Sequence, residues 1–306
     1  MGQRFRDDES TQQVELLGSP IREVARVGDK PVEPAVFGIS DVGKVRKHNE
    51  DSFLVAQLER SMRVYQSTRP VNDGSKVKGP PQGWLFMVAD GMGGHAAGEV
   101  ASAMTVDALA RYAFTLMPWM VPRSKDDSRV LAHGLREAVK QCQQQVRQAA
   151  ATGEGKHGMG TTLTMAYVTW PNLFAVHVGD SRMYAFREGS IHQVTRDHTL
   201  AQQLVDSKVI SESEAETSDF SNILINAVGG DSDDLRVELH HALLFPNDVL
   251  LLCSDGLTKH VPRDQVAAAM EQVANGGDVE EAAKSLVAKA NDEGGTDNVT
   301  VVLARF

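Results

Sequence analysis

The chain has 306 residues, of which 42% are hydrophobic and 24% charged, with a net charge of −10. That is ordinary globular composition at a length for one large domain or two small ones, and the acidity argues against a nonspecific nucleic-acid binder. No apolar stretch approaches the roughly 18 residues that a membrane span needs, and Cys142 and Cys253 by themselves make neither a disulfide framework nor a zinc site.

Residues 1–34 mix Arg6-Asp7-Asp8-Glu9 with Ser, Gln and Pro, lack the apolar core of a signal peptide, and read as a flexible tail before a domain spanning 35–306. Short β-rich runs follow at Val36–Ile39, Ser52–Val55 and Trp84–Ala89. The polar, Gly/Pro/Ser/Lys-rich stretch Gln57–Gly83 reads as an excursion loop. Gly98–Leu116 reads as a helix with Val100, Met104 and Ala108 on one face, and Ser128–Ala150 as a second, separated by the proline-bearing Met117–Asp127. Consecutive strands are expected at Thr161–Thr169, Leu173–Val178, Arg182–Arg187 and Ile191–Val194. Short helices near Thr199–Ser207 and Ser211–Thr217 lead to strands at Arg236–His240 and Asp248–Cys253. Helices near Arg263–Val273 and Val279–Ala290 precede a last strand from Val299. Strands group with strands and helices with helices, which predicts an α+β fold of antiparallel sheets with helices packed outside.

Four acidic clusters stand at the edges of apolar runs: Glu50-Asp51, Asp90-Gly91, Asp255-Gly256 and Asp297-Asn298. A carboxylate beside a buried strand is costly unless paired or bound to a cation. Carboxylates with a glycine carbonyl suit hard divalent ions such as Mg2+ or Mn2+. Each pair alone is also an ordinary turn dipeptide.

The order of six motifs adds a family resemblance: Arg46-Lys47-His48-Asn49-Glu50-Asp51, Val88-Ala89-Asp90-Gly91-Met92-Gly93-Gly94-His95, Gly158-Met159-Gly160-Thr161-Thr162, Val178-Gly179-Asp180-Ser181-Arg182, Cys253-Ser254-Asp255-Gly256-Leu257 and Gly295-Thr296-Asp297-Asn298-Val299-Thr300. From about Phe37 to Phe306 the chain resembles the metal-dependent serine/threonine protein phosphatases of type 2C in their bacterial form. The resemblance implies a β-sandwich of two antiparallel sheets flanked by α-helices on both faces, with a binuclear Mn2+ or Mg2+ centre at one end. It makes Asp90 the carboxylate bridging both ions, the Gly91 carbonyl a ligand of one, and Asp255 and Asp297 ligands of the other. Asp51 and Glu50 match acids that act mainly through metal-bound water. Such a centre acidifies a bridging water for in-line attack on phosphorus.

Arg46 matches the family's phosphate-binding arginine, a planar fork for two phosphate oxygens; the alternative is a solvated cation beside Lys44 and Lys47. Asn298 either orients ligands and water or is a turn amide. Asp180 matches a residue that helps hold a third ion in relatives; the alternative is a turn acid paired with Arg182. Only Glu154 can supply the further acid that relatives often place before Gly158. Met92 stands where animal enzymes carry a histidine, with His95 three residues on. The glycines Gly91, Gly93 and Gly94 permit a tight backbone approach, and no Gly-Lys-Ser/Thr follows to make a phosphate-cradling loop. His198, in Thr195-Arg196-Asp197-His198-Thr199, reads as a polar turn residue or a ligand, and Asp197–Asn222 as a mobile flap.

The expected activity is hydrolysis of phosphoserine and phosphothreonine in phosphorylated proteins, opposite a serine/threonine kinase or on its substrates, by a cytoplasmic monomer with no nucleic-acid or membrane partner. The rivals are a catalytically dead phosphoprotein-binding module and a small-molecule phosphatase on the same fold.

Overall fold

The computed structural model describes residues 32–66, 76–93, 96–116, 125–152, 158–216, 218–230, 232 and 234–306. Two five-stranded antiparallel sheets carry the architecture. The first has the order β1-β13-β12-β8-β9, from Ala35–Asp41, Val299–Arg305, Val249–Cys253, Arg182–Arg187 and Ser190–Gln193. The second has the order β11-β7-β6-β3-β2, from Glu238–Leu243, Asn172–Val178, Leu163–Thr169, Lys76–Ala89 and Ser52–Arg63. A small sheet joins β4 (Gly91–Met92), β5 (Gly160–Thr161) and β10 (Val228–Gly229).

The strand alternation explains the layering. In β3, Phe86 and Val88 face the core between the sheets, where they meet Leu250 and Leu252 of β12 and Val302 and Ala304 of β13. Leu85, Met87 and Ala89 point the other way, under α1 (Ala96–Leu116) and α2 (Lys125–Thr152). Leu251 and Cys253 of β12 likewise face α6 (Arg263–Ala274) and α7 (Val279–Asp292). Strands apolar on both faces are what a sheet sandwiched between two layers requires. The layers are therefore helix, sheet, sheet, helix, and the α+β expectation holds.

The loop expected over Gln57–Gly83 is a correction. β2 continues to Arg63 and β3 starts at Lys76, and the two pair as a long hairpin with register shifts near Leu58–Ser61. The polar composition and Pro80-Pro81 argued for a loop, because proline is depleted from strand interiors. Val32 packs against the inter-sheet core, so contact with the domain starts before residue 35. Residues 1–31 lie outside the described residues, as do 117–124 of the second insertion, His95 and Glu154. Among the described residues no helix is long and apolar enough to cross a membrane.

Candidate active site

Antiparallel pairing places strand starts beside strand ends, and this gathers the acidic clusters at one edge of the sandwich. Ser52 at the start of β2 pairs with Ala89 at the end of β3, which sets Asp51 beside Asp90. Cys253 at the end of β12 pairs with Val301 and with Arg182, which sets Asp255 near Asp297 and Asp180. The sheets are stitched together there. Asp51 Oδ2 accepts hydrogen bonds from Ser254 Oγ at 2.8 Å and Thr300 Oγ1 at 2.6 Å, and Thr162 Oγ1 meets Ser181 Oγ at 2.7 Å.

The backbone of Asp90 is pinned by Thr162, whose Oγ1 accepts the Asp90 N–H at 2.9 Å and whose N–H donates to the Asp90 carbonyl at 2.9 Å. Gly91 then donates its N–H to the Glu50 carbonyl at 3.2 Å. A Cβ on Gly91 would lie 2.2 Å from the Gly98 carbonyl oxygen and 2.6 Å from that of Glu50, so only glycine fits where α1 closes on this turn. Met92, in β4, fills the position after it and pairs with Gly160.

The aspartates gathered here interact electrostatically. The Asp90 carboxyl is pushed well above the usual carboxylate range by burial and then by Asp51, Asp255, Asp180 and Asp297. Burial pushes Asp51 up to about 7 against its hydroxyl donors, with Asp255 and Asp297 adding repulsion. Asp180 is pushed up to about 8 by burial, Asp255 and Asp197. Asp297 goes the other way: burial raises it, but Lys259 and Arg46 hold it below the usual value. Among the described residues, Asp51 Oδ1 and Asp255 Oδ1 are buried with no hydrogen-bond partner.

Several expected residues have more specific surroundings than the sequence indicated. Arg46 is neither free nor solvated alone: its Nε and Nη2 clasp the two Asp297 oxygens at 2.9 and 3.0 Å. Asp180 is not paired with Arg182, whose guanidinium grips both oxygens of Asp197 instead. Asn298 is not a simple turn amide. Its Oδ1 accepts the Glu50 N–H at 2.8 Å, and its Nδ2 donates to the carbonyls of Val42 and His48 at 2.9 and 3.0 Å. Glu50 lies behind the site, with its carbonyl accepting Ser102 Oγ at 2.6 Å.

Lys259 was missed. Its Nζ lies 2.6 Å from Asp255 Oδ2 and 3.0 Å from Asp297 Oδ2. The available signal was its spacing of four from Asp255 in a short helix, Asp255–Thr258, that the sequence reading also passed over.

The donor set fits hard divalent cations. It is rich in carboxylate oxygens, two of them buried and unpartnered, and its mutual repulsion needs positive charge. The nearby thiol of Cys253 is no competitor, since burial pushes it up to about 12.

Comparison with known proteins agrees with this geometry. Residues 63–289 match the family model described as protein phosphatase 2C. The serine/threonine phosphatase stp of Listeria welshimeri is 31% identical over 264 residues, covering 86% of this chain and 92% of that protein. The serine/threonine protein phosphatase PstP of Mycobacterium tuberculosis is 34% identical over 265 residues, 87% of this chain but 43% of PstP. The crystal structure of the M. tuberculosis enzyme superposes with a TM-score of 0.71 at 32% identity, covering 89% of this chain and 98% of that one. A PstP catalytic domain in complex with two manganese ions gives a TM-score of 0.68 at 32% identity, covering 89% and 97%. The chain belongs to the protein phosphatase 2C family in its bacterial form. It is a serine/threonine protein phosphatase.

Proposed function

We propose that residues 35–306 form a catalytic unit that hydrolyses phosphoserine and phosphothreonine in proteins at a binuclear Mn2+ or Mg2+ centre. The observation that carries this reading is the convergence of Asp51, Asp90, Asp255 and Asp297, with buried unpartnered oxygens on Asp51 and Asp255. Asp90, Asp255, Asp297 and the Gly91 carbonyl would hold the two ions, with Asp51 and Glu50 supporting them, and Asp180 would help to hold a third. Such a pair of cations, when bound, supplies Lewis acidity and an acidified water for in-line attack on phosphorus.

The chain's own residues do the rest. Ser254 and Thr300 fix the rotamer of Asp51, so that one oxygen is held and the other is left buried without a hydrogen-bond partner. Arg46, whose fork clasps Asp297, would bind the phosphoryl oxygens. The planar fork suits either partner, because carboxylate and phosphate present similar oxygen pairs. Asn298 keeps the 42–50 segment, and with it Arg46, over the site. The counterpart in the cell is a serine/threonine kinase or its phosphorylated substrates.

The test measures phosphate release from a phosphothreonine peptide, with and without Mn2+, beside a small aryl phosphate. Metal-dependent turnover of the peptide is expected. Turnover of the aryl ester alone would favour a small-molecule phosphatase, and no turnover with tight phosphopeptide binding a recognition module. Asp90→Asn removes a carboxylate charge from the proposed metal site and is expected to lower kcat by more than tenfold, about 1.4 kcal/mol in barrier.

A further inference from the structure

Behind the acidic edge, three histidines surround one glutamate. His177 of β7, His198, and Glu238 and His240 of β11 meet under the segment that follows β9. Ligand atoms of His177, His198 and Glu238 lie within 4.8 Å of one another, a spacing that invites a metal reading. The hydrogen bonds exclude it. His177 Nε2 faces the carbonyl oxygens of Gly179 and Arg196 at 2.9 and 3.1 Å, so it carries a proton and offers no lone pair. Burial holds this imidazole neutral, with its pKa lowered to about 4.

His198 is used differently. Its backbone N–H donates to the Gly179 carbonyl at 2.7 Å, and its Nδ1 accepts the Gly179 N–H at 3.0 Å. One residue therefore holds both polar groups of the glycine that precedes Asp180. Gly179 has φ of 112°, and a Cβ there would lie 2.6 Å from the Thr162 side chain, so the turn is steep and confined.

The same residue closes the following segment. The His198 carbonyl accepts the Ile225 N–H at 2.9 Å, Leu200 N–H donates to the Ile223 carbonyl at 2.8 Å, and Thr199 bridges Leu224. Residues 200–223, with α3 (Leu200–Asp206) and α4 (Glu212–Glu216), thus leave and rejoin the fold at His198. Asn226 completes the lock. It donates Nδ2 to His198 Nδ1 at 2.8 Å and to the Arg236 carbonyl at 2.7 Å, and its Oδ1 accepts the Arg236 N–H at 3.1 Å. With Nδ1 accepting twice, the proton of a neutral His198 sits on Nε2, which points at Glu238 Oε2, 3.4 Å away.

We propose that His198 is a positioning residue whose Nδ1, acting only as an acceptor, fixes the Asp180 turn and the base of the 200–223 segment to each other. Movement of that segment is thereby coupled to the orientation of Asp180. This rests on the phosphatase reading for its consequence in catalysis, and on hydrogen bonding alone for the lock itself.

The test compares His198→Asn with His198→Gln in the full chain. Asparagine Oδ1 reproduces an acceptor near the Nδ1 position; glutamine reaches toward the Nε2 position and leaves Gly179 and Asn226 without their acceptor. His198→Gln is expected to speed hydrogen exchange at the Gly179, Leu200 and Ile225 amides by about tenfold or more, as loss of a closing bond does for local opening. His198→Asn is expected to stay close to wild type. On phosphothreonine peptide, His198→Gln is expected to lower kcat/KM about tenfold, and His198→Asn to restore most of it.

Nitrogen NMR of the unmodified protein decides without any variant: the His198 ring is expected as the neutral Nε2–H tautomer. A proton on Nδ1, or equal exchange in the two variants, overturns the proposal. If the wild-type chain shows no phosphatase activity, the catalytic reading falls while the exchange and tautomer measurements still decide the lock.

Discussion

The side chain of Asn298 holds Glu50 across 248 positions of the sequence: Asn298 Oδ1 accepts the Glu50 N–H at 2.8 Å, while its Nδ2 donates to the Val42 and His48 carbonyls. One buried amide therefore ties the loop carrying Arg46, Glu50 and Asp51 to the turn that carries Asp297 and leads into β13.

Asn298→Ala removes all three part-buried bonds, a loss of about 0.5–1.5 kcal/mol for each. Thermal unfolding is expected at a lower temperature. In kinetics, both kcat and KM are expected to worsen, because the loop that slackens carries phosphate and metal-site groups together. A variant with unchanged Tm would show that water or relaxation replaces the amide.

The pH dependence of metal binding follows from the carboxyl groups. In the metal-free protein, Asp51 is pushed up to about 7 and Asp180 to about 8. A carboxyl raised on folding binds more protons in the native than in the unfolded state. Its contribution is present at low pH and is lost as pH rises through the folded-state value. Metal-free stability is therefore expected to fall between about pH 4 and pH 8. Cations compete with those same protons, so the rise in Tm on adding Mn2+ is expected to be larger at pH 8 than at pH 6. Differential scanning at both pH values, with and without chelator, checks this. A metal shift that shrinks with rising pH would contradict the electrostatic picture.

Lys259 bridges Asp255 and Asp297, with its Nζ 2.6 and 3.0 Å from their oxygens. It occupies the position of a counter-ion for two expected ligands. Lys259→Met keeps much of the aliphatic length and removes the charge. The metal-free protein is expected to lose stability as carboxylate repulsion goes uncompensated, and Mn2+ affinity is expected to rise as a competing cation disappears. Calorimetric titration with Mn2+ measures the second effect, and weaker binding would show that Lys259 supports the metal site.

The layers were legible because Trp84–Ala89 and Val249–Cys253 are apolar without interruption, and an uninterrupted run bounded by turn residues marks a strand buried on both faces. The reciprocal cap at Ser211 was legible too: Glu214 Oε2 accepts the Ser211 N–H at 2.7 Å, as the Ser-x-x-Glu spacing suggests. The acidic residues stood out because Asp90 abuts such a run and Asp255 and Asp297 each stand one residue from a strand-like run.

Their partners were not legible. Nothing local tells Arg46 that Asp297 lies 251 positions away, or Arg182 that Asp197 is a better partner than the adjacent Asp180. The long hairpin was hidden because the glycines and prolines within Gln57–Gly83 argue locally against a strand.

The Arg46 guanidinium clasps Asp297 through two nitrogens, with the arginine side chain 52% exposed and the aspartate 18%. So exposed a pair contributes little to stability after solvent screening, and Arg46→Ala is expected to leave Tm nearly unchanged. Phosphate is charged in both the ground and the transition state, so losing its arginine removes binding common to both. KM for phosphopeptide is then expected to rise by about tenfold or more with kcat less affected. Arg46→Lys keeps the charge but not the fork and is expected to recover only part of the affinity. Steady-state kinetics on one phosphothreonine peptide separates the three proteins, and an unchanged KM in Arg46→Ala would confine this arginine to its ion pair with Asp297.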